Sequence, residues 1–378
     1  MKVFFGLCVS LVLLLTSCSL HSVAPIEVEV DPPTKRQSQK QTNDKSTNQP
    51  TTKISEKSIK TAEAIVNPIT ISFTGDILLD SRVGAAIDQH GVDYPYQSVK
   101  HILQKSDITI GNLETSVSTR GTPEEKLFAF RSKPETLKGL ADAGYDMVSI
   151  ANNHTLDYGT EALFDTMDHL KNYGIGYSGA GKNEEEAFTA YYKTVNGKKV
   201  AILGLSRVLP YADWAAQPNR PGIASAYTYE PMMKYVKKAV ENSDHAIVYI
   251  HWNKERADYP EDYAREMARK FIDAGVSAII GSHSHSLMGI EYYDGAPIFY
   301  SLGNFVFTQS KSPKGQETMI VNLSFDDDEV KPHIIPAKII NYQPTLMDDA
   351  YNQSIINKLN QLSYNARIDQ NGKVESEE

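Results

Sequence analysis

The sequence predicts an α/β fold in which two β-sheets pack face to face and helices cover the outside. Three observations carry that reading. After Asn67 the chain alternates strand-like and helix-like segments. Two stretches, "KPETLKGLADAGYDMVSIANNH" and "ARKFIDAGVSAIIGSHSH", repeat one plan of helix, glycine stop, strand and polar tip. Asn196-Gly197 and Asp294-Gly295 sit between apolar runs as hairpin turns, in "YKTVNGKKVAILG" and "IEYYDGAPIFYSLGNF".

The elements follow in order. "ITISFTGD" is a strand ending at Gly-Asp, and "SDITIGNLET" is a second running into Gly-Asn-Leu-Glu. The shared "DAG" places Gly144 and Gly275 where a helix C-terminus favours glycine. The apolar run Val276 to Ile280, bounded by glycines, reads as a buried strand. "EEE" at 184–186 opens a helical stretch from Asn183 to Ala190, where acidic residues suit a helix N-terminus.

Ahead of this domain, Lys2 precedes an apolar run from Val3 to Leu15 that is short for a membrane span and has the layout of a signal peptide. Residues 1–18 end in Leu15-Thr16-Ser17-Cys18, which resembles a bacterial lipobox, with Cys18 the lipidated residue and the membrane its partner. A plain cleaved signal with an incidental cysteine is the alternative. Both cysteines, Cys8 and Cys18, lie here, so the mature domain has no disulfide and no thiolate ligand. Residues 19–67 are rich in Thr, Ser, Gln, Lys and Asn and read as a tether, with an end-to-end span on the order of 40 Å. The core domain then occupies 68–345 and a C-terminal extension 346–378, whose tail "NGKVESEE" is expected without order. The net charge of −9, from 38 basic and 47 acidic residues, argues against a nucleic-acid partner.

Polar residues gather at strand ends, where ligands sit in open α/β sheets. Asp76 ends the first strand; Asn112 and Glu114 follow the second; Asn153 and His154 follow the third. His251 closes "HAIVYIHW", His283 and His285 close the next run, and Asn304 closes "FYSLGN". His283 and His285 are two apart and so reach into one volume. Carboxylate, amide and imidazole without thiolate suit Mn, Fe or Zn. A carboxylate can bridge two such ions about 3.5–4 Å apart, and a histidine beside an amide ligand can protonate a leaving oxygen. Asn112, Arg131 and Asn304 are the candidate substrate-binding residues; a surface arginine is an equal reading of Arg131.

"FTGD", "GNLET", "ANNHTLDYG", "HWNKE", "GSHSH" and "SLGNFVF", in this order over roughly residues 69 to 310, resemble the CapA family of capsule and poly-γ-glutamate synthesis proteins. That family is similar to the calcineurin-like metallophosphoesterases. The resemblance implies a four-layer α/β/β/α sandwich, metallophosphoesterase-like, with divalent metal ions, two in number, at the strand tips. On it, Asp76, Asn153, His251, His283 and His285 are metal ligands, Glu114 is the bridging acid and His154 the general acid. The metallophosphoesterases carry Asp-x-His in the first motif, whereas Ile77 and Leu78 follow Asp76 here, so one imidazole is missing. Asn253 stands where glycine is common, and Glu255 is placed beside the ligands. The implied function is a membrane-anchored, extracytoplasmic component of poly-γ-glutamate synthesis, with membrane-embedded synthase subunits and an anionic polymer as partners. The alternatives are a stand-alone envelope phosphoesterase and a non-catalytic module that binds an anionic polymer.

Overall fold

The computed structural model describes residues 68–326 and 329–377. The signal-peptide, lipobox and tether readings lie outside these residues.

The first sheet has eight strands. Its centre is β1 (Ile69–Ile77), flanked on one side by β2 (Ile108–Leu113), β3 (Met147–Ser149) and β4 (Gly176–Ser178), all parallel. The second sheet has six. There β5 (Tyr191–Val195) and β6 (Lys198–Ser206) form a hairpin, and β7 (His245–His251) and β8 (Ala278–Ser282) run parallel to β6. A second hairpin, β9 (Ile290–Tyr293) and β10 (Ala296–Phe299), adds β10 parallel to β8. The chain then returns to the first sheet. On the edge of β1 opposite β2, the short β11 (Asn304–Val306) runs parallel to its end and β12 (Glu317–Asp326) lies antiparallel to its first half. Outward from β12 follow β13 (Glu329–Ile340) and β14 (Gln343–Leu346).

Both hairpin turns take the conformation their residues favour. Asn196 and Gly197 have φ of 51° and 81°, and Asp294 and Gly295 have 48° and 74°. Positive φ at both central positions matches the twist of the flanking strands.

Alternation along the strands sorts their side chains onto two faces. On β7, Ile247 and Tyr249 join the cluster that Ile71, Phe73 and Ile110 of the first sheet also enter. Ala246, Val248 and Ile250 turn the other way, onto the helices Tyr229–Glu241 and Asp262–Asp273. Leu113 and Val148 of the first sheet likewise meet Val83, Leu137, Leu140 and Leu163 on helices of the opposite side. The sheets thus share one core and each has helices on its outer face.

The C-terminal extension differs from its expectation. The helix Asp349–Leu362 is capped by Asp348, whose side chain accepts from the Tyr351 amide. Ala366–Ile368 pairs with Val374–Ser376, and the Ile334 amide donates to the Gly372 carbonyl at 2.8 Å. Ile355, Ile356, Leu359, Ile368 and Val374 enter the shared core. The polar tail is ordered because Val374 and a few backbone bonds tie it to a core edge; the surrounding charges hide that in the sequence.

Candidate metal centre

The parallel strands of both sheets end on the same side, and their tips supply the site. Asp76 pairs in register with Asn112 on β2 and with Asn304 on β11, so three side-chain donors stand abreast. That crowding needs glycine: a Cβ on Gly75 would lie 1.9 Å from the Gly303 carbonyl oxygen. In the second sheet His251 pairs with Ser282, immediately before His283.

His283 and His285 have φ of 88° and 52°, a conformation non-glycine residues seldom adopt. The turn is held by Asp76, whose Oδ2 accepts from the His283 amide at 3.2 Å. Such a kink turns both imidazoles back over the strand ends, and local strain of this kind is retained where the surroundings fix it.

Six expected residues converge. Glu114, His251 and His283 place ligand atoms within 4.8 Å of one another, and so do Asp76, Glu114 and His285. Glu114 belongs to both sets. His251 Nε2 lies 2.7 Å from Asn153 Oδ1 and 3.6 Å from Glu114 Oε1. Its Nδ1 is fixed from behind by Ser282 Oγ at 3.0 Å and Asn112 Nδ2 at 3.2 Å. His285 Nδ1 is 3.5 Å from Asp76 Oδ2 and 2.8 Å from Asn304 Oδ1.

The polar groups here are incompletely partnered. Both carboxylate oxygens of Glu114, and His283 Nδ1, are buried without a hydrogen bond. Buried polar atoms are nearly always paired, and an unpaired carboxylate is the costliest kind. A divalent cation is the partner this donor set fits: oxygen and nitrogen atoms, converging, with two carboxylates to balance its charge.

Electrostatics follow from burial. Desolvation, and then Asp76, push the Glu114 pKa well above the ordinary carboxylate range. Burial pulls His251 well below the usual imidazole value and His283 down to about 3. For His285 burial acts the same way, yet Glu114 and Asp76 outweigh it and raise the group to about 10.

His154 stands beside these ligands. Its Nδ1 is 2.7 Å from Asp157 Oδ2, and its Nε2 is 4.0 Å from Glu114 Oε1. Burial lowers its pKa, and the Asp157 contact opposes that. Asp157 is fully buried and also accepts from the Phe130 amide at 2.7 Å and from Lys126 Nζ at 2.6 Å. The sequence reading missed Asp157 and Lys126. Asp157 stands three residues after His154 in the same motif, but Lys126 arrives from a separate loop.

Two residues expected to contact substrate have other partners among the described residues. Asn112 is fully buried; its amide donates to Asp76 Oδ1 at 2.9 Å and accepts from Asn152 Nδ2 at 2.9 Å. Its side chain is engaged by Asp76, His251 and Asn152. Arg131 stacks over the Tyr158 ring at 4.2 Å and donates to the Arg120 carbonyl. Asn304 and Glu255 do line the cleft above the site.

Comparisons with known proteins bear on this arrangement. Residues 70–309 match the family model described as "Bacterial capsule synthesis protein PGA_cap". The chain is 30% identical over 294 residues to the capsule biosynthesis protein CapA of Bacillus anthracis, covering 76% of this chain and 71% of that one. It is 35% identical over 246 residues to the PGA biosynthesis protein CapA of Bacillus subtilis (strain 168), covering 64% of each. Among solved structures, the 5'-nucleotidase from Candida albicans SC5314 aligns with a TM-score of 0.42 and 15% identity, over 71% of this chain and 52% of that one. That likeness is too distant to bear on activity. On the family match and the Bacillus relatives, the chain belongs to the family of bacterial capsule synthesis proteins.

Proposed function

We propose that this protein is a lipid-anchored, extracytoplasmic component of poly-γ-glutamate capsule synthesis or export, built on a metallophosphoesterase-like site that holds two divalent ions. The anchor is Cys18, and the partners are membrane-embedded synthase subunits and the anionic polymer. The names of the Bacillus relatives support the pathway. The observation that carries the site reading is Glu114, a buried carboxylate with no hydrogen bond, shared by two ligand sets.

Glu114, His251, His283 and the Asn153 amide oxygen would hold one ion, and Asp76, Glu114 and His285 the other. When bound there, divalent ions supply polarisation of an oxyanion and activation of water. The chain's own residues do the rest. Asp157 fixes the His154 ring through Nδ1 and leaves Nε2, on the cleft side, as the atom that moves a proton. Lys126 holds Asp157 and the Asn153 carbonyl together, which keeps amide and imidazole in one geometry.

The test is a comparison of two variants of the full chain. His283→Ala removes a ligand and should lower bound metal and polymer production together. His154→Ala should keep its metal while any turnover falls by about 10²–10⁴-fold. Full polymer production by His154→Ala at normal abundance would end the proton-transfer reading. Wild-type chain purified free of divalent metal, and unable to take it up, would end the metal reading.

A further inference from the structure

The cleft over His154 and His285 encloses about 700 Å³ and joins two kinds of surface. One is aromatic. The Phe130 ring centroid lies 4.6 Å from that of His154, Phe128 lies 6.1 Å from Phe130, and Phe307 lies 5.0 Å from His285. This wall begins at the two imidazoles and runs outward to Phe128, which is 59% exposed beside Leu127 at 87%. They are the two most exposed large apolar side chains among the described residues. Neighbouring apolar side chains displayed at the mouth of a polar site mark a contact with something apolar.

The other surface is cationic. Arg82, Arg256 and Lys311 line the same cleft, and none of the three side chains forms an ion pair among the described residues. Glu255 is the one acidic side chain among the cleft residues. In a chain of net charge −9, unpaired cations around a single cleft create a local positive field and select an anion.

We infer that the cleft takes an anionic amphiphile. Its charged head sits between the cations above His154 and His285, and its hydrocarbon lies along Phe130, Phe128 and Phe307. The inference rests on the reading of the site as an oxyanion-binding metal centre and adds the apolar half of the ligand. A uniformly polar anionic chain would engage the cations and leave the aromatic wall unused.

Titration calorimetry of the full chain, loaded with Mn²⁺, tests the two halves separately. The probes are inorganic phosphate and then methyl, butyl and octyl phosphate, each below its micelle concentration. Each methylene that reaches the wall should tighten binding by about two- to fourfold. Phe128→Ala should shrink that gain and leave inorganic phosphate binding unchanged. Arg82→Gln combined with Lys311→Gln should weaken every member of the series by a similar factor. Phosphate binding with flat affinities along the series overturns the amphiphile inference and leaves the site reading standing. An octyl gain that Phe128→Ala does not alter also overturns it. Binding by no member of the series overturns both.

Discussion

Glu114 lies at 0% exposure, 3.6 Å from His251 Nε2 and 4.0 Å from His154 Nε2, with neither oxygen hydrogen-bonded. Around it the candidate ligands divide by protonation. Burial keeps His251 and His283 neutral at pH 7, ready to coordinate. Burial and Asp76 raise the Glu114 carboxyl, while Glu114 and Asp76 raise the His285 imidazole to about 10 despite its burial, so His285 carries a proton at pH 7. The imidazolium of His285 does part of what a cation would do there. A metal that binds His285 must displace its proton, so this shift opposes binding at low pH. Apparent affinity for a divalent ion should rise with pH, by about tenfold per unit for each proton released. Calorimetry at one pH in buffers of different ionisation enthalpy counts the protons; a count of zero would refute this account. At this scale the residues that converge were legible because strand-end histidines and acids are rare and regularly placed. The partners of Asn112 were not legible, because its amide looks like any strand-tip amide. Only the fold shows that Asp76, His251 and Asn152 consume it.

The strand tips converge because two elements cross closely. β11 enters the first sheet beside β1 only by running past Gly75, where the Gly303 carbonyl fills the space a side chain would need. Asp76 bonds across the same crossing, its amide donating to the Gly303 carbonyl at 3.1 Å. Gly75→Ala should therefore force backbone apart and not merely a flexible side chain. The expected cost is about 3 kcal/mol in denaturant unfolding, at the upper end for overpacking. Bound metal should fall too, since the shift moves Asn304 away from His285. Unchanged stability would mean the crossing relaxes freely. Strands, glycine stops and both hairpins could be read from the chain, because each has a local cause in periodicity or in a residue that tolerates positive φ. The pairing of β11 with β1 could not, since three residues carry no periodicity and their partner is more than two hundred positions away.

Across the whole molecule, the two sheets share one core, and the parallel strands of both deliver their C-terminal ends to one rim. This was readable as a class, from alternating elements. The closure of the core by the C-terminal helix and hairpin was not, because charge in the tail outweighed a few buried apolar residues. Among the described residues no helix is long and apolar enough to cross a membrane. The proposed attachment through Cys18 has a physical consequence of its own. A single acyl chain holds a protein at a bilayer only marginally, whereas several hold it stably. If Cys18 carries the multiple chains of a bacterial lipoprotein, the wild type should remain with membranes through high-salt washing, which strips charge-mediated contacts. Cys18→Ala should then either leave an unprocessed precursor or release the domain to the soluble fraction, and polymer production should fall even though the metal centre is untouched. Fractionation with immunoblotting reads both outcomes. Identical processing and membrane partition of the two proteins would exclude Cys18 as the anchor.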